Sequence, residues 1–195
     1  MEHIYTGIGS RAAPKAVCAW AYELGLALGQ QGWMLRSGAA DGLDNAFERG
    51  AVAAKASTEL YVPWKGYNGS ASHRHMPTKE AFNLAQEVHP AWEALGSAVR
   101  KMHACSAHQV LGERLTQPSK FCICWTPDGC ESERTRTRQT GGTATGIVIA
   151  ERNAVPVFNL YNDRARQALN QLLRQLNVAY QVPCNPAVPQ QTDLF

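Results

Sequence analysis

No stretch of the sequence is apolar for long enough to cross a bilayer, and no basic segment followed by an apolar one stands near its start. This predicts neither a membrane-spanning helix nor a secretory leader, and a cytoplasmic location is the expectation. Charge is sparse as well. With 18% charged residues and a formal net charge of +3, the chain lacks the dense basic face of a non-specific DNA-binding surface. Contacts with nucleic acid would have to come from local clusters. The paired CxxC knuckles of a structural zinc site are missing too: Cys122 and Cys124 lie in an apolar run, with Cys130 beyond it. We expect no metal and no resident cofactor, and in a reducing compartment the six cysteines stay thiols. Neither GxGxxG nor GxxxxGK[ST] occurs, which disfavours an ordinary dinucleotide dehydrogenase or a P-loop nucleotidase.

What is present is a chain of 195 residues, 45% of them hydrophobic, enough for one substantial core. Apolar runs that read as strands alternate with segments of helical period. HIYTGIG (3–9), WMLRSG (33–38), TELYVPW (58–64), FCICW (121–125) and VPVFNLY (155–161) are the predicted strands. Between them, Val17, Trp20, Ala21, Leu24 and Leu28 recur at helical spacing, and Leu43, Ala46, Phe47 and Gly50 share another face. Pro90 divides a helical stretch from Lys79 to Gly112, with Leu84, Val88, Trp92, Leu95, Val99 and Met102 expected inward. Leu169, Leu172, Leu173 and Leu176 align a last helix. The alternation predicts an α/β three-layer sandwich, a mainly parallel sheet flanked by helices. One domain over 1–180 is expected, then an extended, proline-rich tail over 181–195.

In such a sheet, ligands bind beyond the carboxyl ends of the strands. Three connections there carry glycine: GIGSR after the first strand, SGAADG after the second, and TGGTAT before the helix that follows the fourth. Glycine lets backbone N–H groups approach a ligand, and a helix start adds unpaired N–H donors, so the three together predict a phosphate cradle. Its candidate residues are Gly7, Gly9, Ser10, Arg11, Ser37, Gly38, Asp41, Gly42, Gly141, Gly142, Thr143 and Thr145. Asp41 suits a helix cap, whereas Asp44 one turn on suits a ribose hydroxyl or a catalytic role.

GSR at 9–11, SGAADGLDNAFERGA at 37–51 and GGTATGIVIAERNAVPVFNL at 141–160 resemble, in order, three signatures of the SLOG superfamily. This Rossmann-like group includes DNA-processing protein A and the LOG, or lysine decarboxylase-like, proteins. The resemblance is closest to small phage and prophage proteins of the DNA-processing type. It implies a Rossmann-like fold, a homo-oligomer, and a site for a nucleotide or single-stranded nucleic acid in DNA processing or nucleotide sensing. The alternative it implies is a LOG-like phosphoribohydrolase cleaving nucleoside monophosphates. For that reaction the family uses PGGxGTxxE; here the proline is Thr140, the next glycine is Ala144, and the nearest acid is Glu151, which with Asp44 is the candidate catalytic pair. Where relatives carry Arg-Asn before QVLG, this chain has Cys105 and Ser106.

Three further groups are candidates. Arg134, Arg136 and Arg138 alternate, so an extended segment would turn them to one side beside Gly141 as nucleic-acid contacts. His73, Arg74 and His75 could close over a bound nucleotide, or the loop from Lys65 to Thr78 could be simply a solvated one. Finally, QTDLF at the end of the chain is similar to the short motif that docks DNA-metabolism proteins on the bacterial sliding clamp. Gln191, Asp193, Leu194 and Phe195 match it, and Thr192 departs.

Overall fold

The computed structural model describes residues 3–184. The clamp-like residues Gln191 to Phe195 lie outside the described residues. Five strands, β1 (Ile4–Gly9), β2 (Met34–Ser37), β3 (Thr58–Leu60), β4 (Cys122–Trp125) and β5 (Val157–Asn159), form one sheet. Every pairing is parallel and the order is β3-β2-β1-β4-β5. Six helices cover it: α1 (Lys15–Gln30), α2 (Leu43–Ala53), α3 (Lys79–Val88), α4 (Ser97–Leu111), α5 (Thr143–Arg152) and α6 (Asp163–Gln175). The fold is the expected α/β sandwich of Rossmann-like type.

Period-2 alternation in β4 divides the core. Ile123 and Trp125 face the cluster built with Val17, Leu24, Phe47 and Leu169 of α1, α2 and α6. Cys122 and Cys124 face the opposite cluster, with Ala85, Ala107 and Ile147 of α3, α4 and α5. The CxC pair is therefore core packing, and its thiols are free. Among the described residues no group of three or more His, Cys, Asp or Glu side chains is placed to hold a metal ion. None of their helices is long and apolar enough to cross a membrane.

Three elements differ from expectation. The regular part of β3 ends at Leu60; beyond it Val62 makes a single bridge to His75, its N–H donating to the Arg74 carbonyl at 3.0 Å. The second half of α4, from His103 to Leu111, is buried all round, and Val99, expected inward, is 40% exposed. Lastly, the chain after α6 is held down past residue 180. Asn170 donates to the Val182 carbonyl and accepts from its N–H, both at 2.8 Å, and Val178 and Val182 join the first core cluster. An amide side chain satisfies a peptide group completely in this way, so the domain includes the start of the expected tail.

Candidate functional site

The connections from β1 and β4 leave toward opposite faces, to α1 and α5, so a crevice opens where these neighbouring strands end. A cavity of about 440 Å³ fills it. Gly9, Ser10, Arg11, Gly38, Asp44, Gly141, Gly142 and Thr143 line it, so residues from all three glycine connections meet there.

The three connections are not equivalent. Asp44, on the first turn of α2, is fully buried. Its Oδ1 accepts from Gly9 N–H at 2.8 Å and its Oδ2 from Gly38 N–H at 3.2 Å. The first two glycine loops thus already enclose a carboxyl group, the protein's own. Burial pushes the Asp44 carboxyl up to about 7, against the opposing pull of the Gly9, Gly38 and Ala40 amides. Asp44 therefore ties two strand ends together while lining the cavity, each oxygen accepting one backbone N–H and keeping a further acceptor site.

Among the described residues the third connection keeps its donors. Helix α5 begins its backbone bonding with Ala144 N–H to Gly141 O at 3.2 Å and Thr145 N–H to Gly142 O at 3.4 Å, which leaves the Gly142 and Thr143 amides facing the cavity end of the helix. Gly141, at φ 63°, makes the turn that places them. Upstream, Asp128 fixes this loop by accepting from the hydroxyls of Thr137 and Thr140, which hold its carboxyl below the usual range despite partial burial. Across the cavity, Arg11 Nη2 donates to the Tyr67 hydroxyl at 3.1 Å and contacts Met102 Sδ at 3.8 Å. No carboxylate pairs with this exposed guanidinium among the described residues. Ser10 Oγ accepts from Ala12 N–H at 3.1 Å, leaving its own proton to donate. Pro63, Tyr67, Val99 and Met102 add apolar lining, and Arg11 rests on two of them, Tyr67 and Met102.

Several expected residues stand elsewhere. Gly7 is inside β1, where a Cβ would meet the Phe47 ring at 2.7 Å, and its carbonyl accepts from Ser37 Oγ at 2.7 Å; both residues serve packing. Gly42, at φ 81°, lets the chain pass against the Ser10 and Arg11 backbone. Asp41 is exposed and caps nothing, because α2 starts at Leu43 with Gly42 as its cap residue. Thr145 is buried and reaches the cavity only through His103. Glu151 is outside the cavity: its carboxylate accepts from Glu133 N–H at 2.5 Å, and Glu133 in turn pairs with Arg152 at 2.9 Å. The arginine segment is not extended. Two 3-10 turns, Glu133–Thr135 and Arg138–Thr140, bend it; Arg136 donates to the Val88 carbonyl and pairs with Glu133 at 3.6 Å, while Arg134 and Arg138 are exposed.

His73, Arg74 and His75 line a second cavity of about 150 Å³, which shares Tyr61 and Cys105 with the first as a partition. Ser72 Oγ donating to Leu60 O at 2.5 Å and the bridge to Val62 draw this loop along the extension of β3. Arg74 is held there by Glu59 at 3.4 Å and by Glu113 at 4.0 Å.

Sequence reasoning missed His103 and Gln109 of α4, which line the main cavity together with Cys105 and Ser106, the positions where relatives carry Arg-Asn. The signal was polar residues on a helix with no polar face to spare, since buried polar groups need a purpose. Burial pushes the Cys105 thiol up to about 12, which keeps it protonated at neutral pH.

The chain matches no protein-family model, and it matches no curated protein. Among solved structures it is similar to the Moco carrier protein of Chlamydomonas rheinhardtii. The two are 20% identical over 90% of this chain and 87% of that one, with a TM-score of 0.50. At that identity the likeness is one of fold.

Proposed function

We propose that this protein binds a nucleotide, or the phosphate of a single-stranded nucleic acid, as a binding or sensing module of the DNA-processing type to which its motifs are similar. The observation that carries the reading is the pairing of unused donors with apolar lining in one cavity. The Gly142 and Thr143 amides, the Ser10 hydroxyl and the Arg11 guanidinium suit a phosphate, and Pro63, Tyr67, Val99 and Met102 suit a flat, weakly polar base. The backbone donors for the phosphate are those at the start of α5, because Asp44 already takes the Gly9 and Gly38 amides.

One fact favours binding over glycosidic hydrolysis. Glu151 lies outside the cavity, and a general acid or base needs an oxygen within reach of the bond to be broken. Asp44 does line the cavity, so the experiment reads products as well as retained ligand.

The test is to incubate purified protein with a panel of nucleotides and a short single-stranded oligonucleotide, following retained ligand and products together by mass spectrometry. Retention of an intact nucleotide or oligonucleotide, weakened tenfold or more in Arg11→Ala, is the expected result. Free base released from a monophosphate would overturn the binding-only reading in favour of the phosphoribohydrolase.

A further inference from the structure

His103 is 8% exposed and lines the main cavity from α4. Its Nδ1 lies 2.7 Å from Thr145 Oγ1, and its ring edge stands beside the cradle, with Cε1 4.0 Å from where a Cβ of Gly142 would be. Nε2 has no partner among the described residues. The tautomer follows from accounting for the Thr145 proton. Thr145 is 2% exposed, and the imidazole is the one partner its hydroxyl has among the described residues. A buried hydroxyl left without an acceptor costs about 1–3 kcal/mol. The hydroxyl therefore donates to Nδ1, and the ring proton resides on Nε2.

We propose that His103 is a specificity-determining residue of this cavity, presenting Nε2–H as an uncharged donor to an oxygen of the bound phosphate, with Thr145 as the positioning residue that sets its tautomer. The inference rests on the phosphate-binding reading and adds a donor that none of the glycine motifs contains. The surroundings keep the ring neutral. His89, packed at 4.5 Å between ring centroids, is the titratable group facing it, and Arg136 lies beyond His89. No carboxylate acts on the ring from α3, α5 or the loop between α3 and α4, and burial with His89 holds it down to about 4. At neutral pH the ring is a fixed dipole. It can donate to an oxyanion without the imidazolium charge that would draw in any passing anion.

The test uses inorganic phosphate as the probe, because its binding reads the cradle and ignores the base. On the ligand-free protein, nitrogen-15 NMR of the His103 ring should show a pyrrole-like Nε2 and a pyridine-like Nδ1. The Nδ1–H tautomer would overturn the proposal without any variant. By calorimetry, His103→Leu should weaken phosphate about 10- to 100-fold, the range for a hydrogen bond to a charged group. His103→Gln, which keeps an amide donor, should recover part of the loss. Thr145→Val should weaken phosphate several-fold and Thr145→Ser should not, although neither side chain touches the ligand. Wild-type affinity in His103→Leu, with Arg11→Ala still impaired, would overturn the role of His103 alone. Failure of the wild type to bind phosphate would overturn the binding reading, and this proposal with it.

Discussion

The carboxylate of Asp44 accepts one backbone N–H from the end of β1 and another from the end of β2. An asparagine in its place has one acceptor and would point its own N–H₂ at the second amide. Asp44→Asn should therefore destabilise the fold by about 1–3 kcal/mol, the cost of one unsatisfied buried group, as read by urea denaturation. The same residue has a pH signature. Its folded carboxyl titrates at about 7, above the ordinary aspartate value of roughly 3.9, so the folded state binds more protons than the unfolded one between those limits. Its contribution is thus fully present at low pH and is lost as pH rises toward neutrality. The difference in unfolding free energy between wild type and Asp44→Asn should shrink across that interval; a difference that is flat or grows with pH would mean that the three amides win over burial. Taking the difference also removes the opposite slopes of Glu59 and Asp128, whose carboxyls are held below their usual values.

Among the elements, the α1–α2 pair sets how closely one layer sits on the sheet. Gly50 of α2 lies so near α1 that a Cβ would come within 2.1 Å of the Tyr22 carbonyl oxygen. Backbone cannot yield as a side chain can, so Gly50→Ala should cost about 1–3 kcal/mol or more through overpacking, measurable as a lowered denaturation midpoint. This helix pair was legible in the sequence: the face of Val17, Ala21, Leu24 and Leu28 and the face of Leu43, Ala46 and Phe47 are both buried as their spacing requires. The sheet was legible for the same reason, since period and alternation are local properties of the chain. The division of labour among the glycines was not. A glycine that admits Phe47, as Gly7 does, and one that starts a helix at an open cavity, as Gly142 does, look alike until the neighbouring element is in place. The arginine alternation failed likewise, because it presumed an extended backbone where Ser132 and Thr137 cap 3-10 turns. His103 and Thr145 stand 42 positions apart, and no spacing rule joins them.

For the whole molecule, stability and binding should separate between Gly7, packed inside the sheet, and Arg11, exposed at the cavity. Ligand at a hundred times its Kd adds about 2.7 kcal/mol to the folded state by mass action. At roughly 2–4 °C per kcal/mol for a chain of this size, thermal unfolding should shift upward by about 5–11 °C. Arg11 is exposed and its side chain contacts Tyr67 and Met102, so Arg11→Ala should leave the ligand-free midpoint near wild type and lose about half of that shift or more. Gly7→Ala should do the reverse: Phe47 and Leu35 stand within 3.0 Å of the added carbon, so the midpoint falls, while a shift of nearly wild-type size remains at saturating ligand. Running both variants in one thermal-shift series with the ligand retained in the mass-spectrometric panel decides the matter. If Arg11→Ala keeps the full shift, the anion is held without the guanidinium and the cradle at the start of α5 must act alone; if Gly7→Ala loses it, the cavity depends on the exact spacing of β1 and α2, and the glycine serves the ligand through the packing.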